Sequence, residues 1–300
     1  MGYMCLMKKN LWKYTLILLS ASVVLVFLAA FSLQDDQLHL VFCDVGQGDA
    51  ILIYQKSTQI LVDGGPDSKV INCLSAHMPF WDREIEVVVS SHAESDHFIG
   101  FLNVVDRYQV DNFVYSGVGK ESKGWEELSR KVKVRGIKQD ILQKGGEIKF
   151  GDIQIFVLWP TQELVAGILQ DPNSKVMGAT TKESLNEYSL VLKLAYNDFT
   201  SLLTGDIEPP EEDIVAGVIS GPISILKVPH HGSKNGLDTE LLNATSPSLA
   251  VISVGSKNQF GHPHFETLSM LERNNIRVMR TDKDGEVEIV TDGRKWNVFK

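Results

Sequence analysis

Residues 90–97 read SSHAESDH and set His92, Glu94, Asp96 and His97 directly behind an apolar run that begins I-E-V-V-V at Ile85. Side chains alternate along an extended segment, so positions 92 and 94 project to one side, while a turn over 94–96 brings Asp96 and His97 round to a neighbouring position. That geometry can serve two adjacent ions. Imidazole and carboxylate donors suit Zn, Mn or Fe, and the lack of cysteine in the cluster argues against a closed structural zinc site. Two ions about 3.5–4 Å apart can activate a water, orient an ester and stabilise charge at the attacked centre, so hydrolysis is the natural chemistry. A strand ending in an ordinary polar turn would look similar if it stood alone. It does not: Asp206 ends the run in FTSLLTGDIE, His230 and His231 end the run in ISILKVPHHG, and Asp63 ends the run in QILVDGG. One Asp at a strand end is a common turn residue; four such termini together predict a shared site.

The elements that would carry these termini follow from apolar periodicity. Strand patterns cover 38–43, 50–54, 58–62, 85–90, 152–158, 189–196, 199–203, 223–228, 249–254, 277–281 and 286–290. Helical spacing covers 69–77, 98–107, 125–134, 211–219, 239–244 and 265–273. Glu211, Glu212 and Asp213 behind Pro209-Pro210 read as a helix first turn rather than a site. Strands arriving first as hairpins and then alternating with helices predict an α/β unit of two sheets flanked by helices. Residues 161–187, rich in Gly, Asn and Ser, read as a long loop of the kind that borders active sites.

The first residues differ in kind from the rest. Lys8, Lys9 and Lys13 precede a charge-free stretch from Tyr14 to Gln34, long enough to cross a bilayer as a helix of about 20 residues. Basic residues ahead of the span favour a cytoplasmic N-terminus, which places the chain after Asp35 on the outer face. Residues 1–34 are thus expected to be a membrane anchor or signal segment and 35–300 the folded domain; Ala30 and Ser32 leave secretion after cleavage as the alternative to a single-pass protein of the cytoplasmic membrane. Lys and Arg total 29 against 38 Asp and Glu, a net charge of −9, so any nucleic-acid binding must be local rather than a broad electrostatic footprint. Cys5, Cys43 and Cys73 form no CxxC; they read as small core or tail residues, with a Cys43–Cys73 disulfide outside the cell as the alternative.

Seven stretches in order, VFCDVGQGDAILI (41–53), ILVDGG (60–65), SHAESDHFIG (91–100), NEYSLVLKL (186–194), LLTGD (202–206), LKVPHHGS (226–233) and FGHPH (260–264), resemble the metallo-β-lactamase-like superfamily. More narrowly they resemble the hydrolase domain of ComEC-type competence proteins of DNA uptake, over nearly the whole chain after residue 38. The resemblance implies a four-layer αβ/βα sandwich with two divalent ions, Zn or Mn, at the sheet edges. It implies His92 and Glu94 as ligands of one ion, Asp96, His97 and His231 as ligands of the other, and Asp206 between them. His230 is an alternative ligand, Asp63 a partner of the histidines, and Asn186 or Ser189 stands in the region of a further family motif. Gln47 and Asp49 are expected in a substrate loop, although a hairpin turn at Gly46 and Gly48 is the simpler reading. Asp96, Asp206 and His262 are the expected catalytic groups, His262 assisting the leaving group; His262 and His264 read otherwise as loop histidines. Two departures stand out. Glu94 replaces a histidine, and no histidine lies between His97 and His230. The substrate implied is a phosphodiester, with single-stranded DNA a candidate, in a free-standing membrane-tethered version of the domain, since one span is too few for a channel. The competing reading is a catalytically weak module that holds DNA or a partner protein.

Overall fold

In the computed structural model the backbone is described for residues 2–32, 35–168, 177–181 and 184–300, and side chains for 11–27, 35–168, 177–179 and 184–300. The chain divides into Met1–Asp36 and Gln37–Lys300. The first unit is the helix α1 (Gly2–Ser32). Among its described side chains three hydroxyls bond back into the helix: Thr15 donates to the Trp12 carbonyl at 2.8 Å, Ser20 to Ile17 at 2.9 Å and Ser22 to Leu18 at 2.8 Å. Among the described residues no helix is long and apolar enough to cross a membrane, and on α1 the described side chains are those of residues 11–27.

Among its described residues the second unit carries seventeen strands: β1 (Leu38–Phe42), β2 (Ile51–Gln55), β3 (Thr58–Val62), β4 (Glu84–Val89), β5 (Gln109–Tyr115), β6 (Val118–Lys120), β7 (Lys138–Ile141), β8 (Glu147–Phe150), β9 (Ile153–Trp159), β10 (Ala179–Thr181), β11 (Val191–Tyr196), β12 (Phe199–Leu203), β13 (Ile225–Lys227), β14 (Leu249–Ile252), β15 (Arg277–Arg280), β16 (Val287–Thr291) and β17 (Trp296–Phe299). One sheet has the order β17, β16, β1, β2, β3, β4, β5, β7, and the other β15, β14, β13, β12, β11, β9, β8. Each is mixed. β1 pairs antiparallel with β2 and β16, whereas β3, β4, β5 and β7 run parallel; β11 pairs antiparallel with β9 and β12, whereas β12 to β15 run parallel.

Helices cover the outer faces: α2 (Val70–His77), α3 (Ser95–Phe98), α4 (Phe101–Arg107) and α5 (Lys123–Val134) go with the first sheet, and α7 (Glu211–Ala216), α8 (Thr239–Thr245) and α9 (Phe265–Arg273) with the second; α6 (Gln162–Ala166) and α10 (Thr281–Asp284) are short connectors. Alternation along β1 explains the layering. Leu40 and Phe42 join a buried cluster with Ile155, Leu192, Leu194 and Met279 of the other sheet, while Val41 joins a cluster with Leu74, Phe101, Trp125 and Leu128 of the helices. The outer face of the second sheet does the same through Leu202, Leu226 and Ala250 against Val215, Leu241 and Leu271. This is the four-layer αβ/βα sandwich, with strands apolar on both faces because both faces are covered.

Several expected elements differ in detail. The helix expected over 98–107 is interrupted between α3 and α4, where the Gly100 N–H donates to the Gly65 carbonyl at 2.9 Å and the His97 carbonyl accepts from the Gly64 N–H at 2.6 Å; the approach is close enough that a Cβ at Gly100 would sit 1.8 Å from the Gly64 carbonyl oxygen. The loop expected over 161–187 contains α6, capped by the Thr161 hydroxyl accepting from the Leu164 N–H, and β10, which pairs with β6; residues 169–176 and 182–183 of it lie outside the described residues.

Candidate metal centre

The site forms where the C-terminal ends of β3 and β4 meet those of β12 and β13. Past β3 the backbone of Asp63 turns left-handed (φ 59°), aided by its N–H donating to the Val89 carbonyl at 2.8 Å. The Asp63 carboxylate then accepts from the Ser91 N–H at 2.7 Å, the Ser91 hydroxyl at 2.6 Å and His97 Nδ1 at 2.9 Å. That last bond fixes the His97 tautomer and aims Nε2 across to Asp206 Oδ2, 3.2 Å away. His97 itself comes round on the single turn of α3. From the second sheet, His231 donates Nδ1–H to the Ser253 carbonyl at 2.9 Å, and its Nε2 lies 3.3 Å from Asp206 Oδ2 and 3.5 Å from Asp96 Oδ2. His230 and His231 both hold left-handed backbones (φ 45° and 54°), a conformation that costs a side-chain-bearing residue about 1–2 kcal/mol and is concentrated at functional sites.

Burial and charge make this a cation-seeking cluster. His92, His97, Asp206 and His231 are each buried. Burial alone would lower the His97 pKa, but Asp206, Asp63 and Asp96 outweigh it and hold it well above the usual imidazole range. His231 is likewise pushed up to about 9, burial being overcome by Asp206 and Asp49. Burial would raise Asp206, but His231, His97 and Lys227 keep it well below the usual carboxylate range. His92 goes the other way: burial and the neighbouring His97 lower it well below its ordinary value, leaving a neutral imidazole. The buried Nε2 atoms of His92 and His231 have no hydrogen-bond partner, and Asp49, His97, Asp206 and His231 offer donor atoms all within 4.8 Å of one another. Unpartnered imidazole nitrogens beside carboxylates in a dry site fit a divalent cation, which Asp96, His97, Asp206 and His231 would hold with His92 alongside.

The other expected residues fall around this centre. Asp49 is 3.8 Å from His231 Nδ1 and 3.7 Å from His97 Nδ1. Its loop packs on the ligand turn: the Asp49 N–H donates to the Asp96 carbonyl at 3.3 Å, and Gly48, at φ 133°, has Asp96 O where any Cβ would go. Gln47 accepts from the Gly255 N–H at 3.2 Å and so ties that loop to the end of β14. Glu94 ion-pairs with Lys120. His230 pairs through Nδ1 with Glu208 at 2.5 Å and stands 4.0 Å from Asp206 Oδ2. His262 is half-buried against the rings of His230 and His231, and burial with those neighbours lowers it to about 4, a neutral base at the mouth of the site. Asn186 begins a short turn and donates its N–H to Ser184; Ser189 is the residue of that stretch that reaches the centre, accepting the Asp206 N–H at 3.2 Å.

Two contributors were absent from the sequence reading. Ser91 bridges Asp63 to the histidines, with its hydroxyl 3.0 Å from His92 Nδ1. Lys227 is 1% exposed, and its ammonium lies 2.5 Å from Asp49 Oδ2, 2.8 Å from the Gly205 carbonyl and 3.4 Å from Asp206 Oδ1. A lysine inside the apolar run of ISILKVP was the signal available for it.

Comparison with known proteins agrees with this architecture. The sequence model of the metallo-beta-lactamase superfamily matches residues 43–256. The chain belongs to that superfamily. Among curated relatives, ComE operon protein 3 of Bacillus subtilis is 28% identical over 271 residues, covering 82% of this chain and 32% of its own. Recombination protein 2 of Haemophilus influenzae is 29% identical over 250 residues, covering 82% of this chain and 28% of its own. The chain therefore spans about a third of the length of these relatives. Among solved structures, the metallo-beta-lactamase fold protein YhfI from Bacillus subtilis superposes with a TM-score of 0.52 at 13% identity, over 84% of this chain and 99% of its own. Zn(2+)-bound PqqB from Methylobacterium extorquens gives 0.51 at 12%, over 81% of this chain and 97% of its own. At such identities these structures speak to the fold alone.

Proposed function

We propose that this chain is a metal-dependent hydrolase of phosphodiesters, with Zn or Mn as its ion and single-stranded DNA as a candidate substrate, held at the outer face of the cytoplasmic membrane by its N-terminal segment. The observation that carries the reading is the convergence of His97, His231 and Asp206, with the Nε2 atoms of His92 and His231 left without a hydrogen-bond partner, at the adjoining sheet edges. A bound divalent ion supplies Lewis-acid activation of water and charge stabilisation at the attacked phosphorus. Asp96 and Asp206 position the attacking water, Asp63 and Ser91 hold His97 in the ligating tautomer, and His262, neutral at pH 7, accepts the proton that the attacking water gives up and passes it to the leaving oxygen. The choice of phosphodiester rests on the similarity to competence and recombination proteins. Purified protein with added Mn or Zn should cleave a small phosphodiester or single-stranded DNA and stop when a chelator is added.

A second reading, a non-catalytic module that binds DNA or a protein partner, is favoured by the commitment of Glu94 to Lys120. Failure to hydrolyse any phosphodiester with either metal, while metal is bound, would move that reading ahead. The outer-face placement draws on Lys8, Lys9 and Lys13 ahead of the apolar stretch and on the Cys43–Cys73 disulfide. Protease added to intact protoplasts should remove the domain; its survival while a known outer-face protein is digested would reverse the topology.

A further inference from the structure

We propose that Lys227 is a built-in cation of the metal centre: its ammonium takes the place of a second ion beside Asp206, so the site holds a single divalent ion per chain. The proposal rests on the metal-dependent reading above. Lysine is almost never fully buried unless its charge is met, and here it is met completely. Its three N–H donors face three oxygens, Asp49 Oδ2 at 2.5 Å, the Gly205 carbonyl at 2.8 Å and Asp206 Oδ1 at 3.4 Å. A buried pocket of two carboxylate oxygens and one carbonyl is a cation site, and the chain fills it with its own charge.

The division of Asp206 gives the reason for a single ion. Oδ1 faces Lys227, whereas Oδ2 faces the Nε2 atoms of His97 and His231 at 3.2 and 3.3 Å, with Asp96 Oδ2 a further 3.5 Å from His231. Those four side chains are a full donor set for one ion. A second position would have to be built from what remains, the imidazoles of His92 and of His230, whose Nε2 stands 4.0 Å from Asp206 Oδ2: Glu94 is turned to Lys120, and the Ser189 hydroxyl is engaged with the Asp206 N–H. The fixed ammonium replaces the charge the missing ion would bring and is itself balanced by Asp49. Lying 1% exposed behind Asp206, Lys227 cannot touch a substrate, so it acts as a positioning residue.

Metal content measured on the purified full chain, after saturation with Mn or Zn and removal of unbound ion, tests this without reference to activity. One ion per chain is expected for the wild type. Lys227→Ala, which vacates the oxygen pocket, is expected to take up a second. Two ions in the wild type, or one in a folded Lys227→Ala protein, would overturn the proposal while leaving the metal-dependent reading intact; no ion in either protein would overturn both. Should Lys227→Ala fail to fold, Lys227→Gln, which keeps hydrogen-bonding capacity without the charge, is expected to bind the first ion at least about tenfold more tightly. Unchanged affinity there would equally dispose of the assigned role.

Discussion

At the scale of single residues, the centre depends on carboxylates that act through different partners. Asp206 faces both histidines and the lysine at once, so Asp206→Ala removes the charge that two imidazoles and an ammonium converge on. The loss of ion and of transition-state stabilisation together should lower phosphodiester hydrolysis on the order of 10³-fold or more. Retained activity with unchanged metal content would remove Asp206 from the centre. Asp63 acts one step back. Asp63→Asn keeps the shape but offers Ser91 and His97 a weaker acceptor, and losing the bond that orients a ligating imidazole weakens metal affinity roughly 10–100-fold. Isothermal titration with Mn or Zn would measure it, and wild-type affinity in Asp63→Asn would mean that the His97 bond does not set the ligand. Most of these residues were legible because their types recur at strand ends. Lys227 was not, because a lysine in an apolar strand reads as a surface interruption until the opposing sheet supplies Asp49.

At the scale of elements, the strands most plainly disclosed by the sequence are those with continuous apolar runs, β3 and β12 among them. β5, β7, β8 and β17 escaped: in β5 Asp111 and Asn112 interrupt the apolar positions, β7 is Lys-Gln-Asp-Ile at a sheet edge, and the exposed positions of β17 alternate with half-buried ones. The first turn of α7 shows the same limit for helices. Its acidic residues do favour the helix start, but Glu212 is turned inward: it is fully buried, Oε2 accepts the Asp238 N–H at 2.7 Å and Oε1 has no partner. Burial raises its pKa from 4.5 to about 9, so the folded protein carries a neutral Glu212 at pH 7 while the unfolded chain ionises it. A raised folded-state pKa gives no penalty below the unfolded value and a growing one as pH climbs toward the folded value. Glu212→Gln should therefore stabilise the protein by about 1–3 kcal/mol at pH 7 and by little at pH 4. Urea unfolding at the two pH values would check it, and an equal effect at both would mean that Glu212 is ionised in the fold.

At the scale of the whole molecule, one covalent link joins layers that packing already joins. Cys43 follows β1 and Cys73 lies in α2; their Cα atoms are 5.8 Å apart, within ordinary disulfide range, and the bond closes a separation of 30 residues. Sequence alone left this pairing open, since three unspaced cysteines carry no framework and only the crossing of α2 over the first sheet brings two of them together. A loop of that length corresponds to about 3–4 kcal/mol in the chain-entropy account, so reduction should lower the unfolding midpoint while leaving the metal site, which uses neither cysteine, able to bind its ion. The same bond tests the proposed placement. Bonds of this kind persist outside the cytoplasm and are rare within it. Cells lysed directly into denaturant and alkylating reagent should yield protein in which Cys5 is modified and Cys43 and Cys73 are not, the latter two reacting only after reduction. Free thiols at both positions before reduction would place the folded unit on the reducing side of the membrane and end the outer-face assignment, whatever the protein hydrolyses.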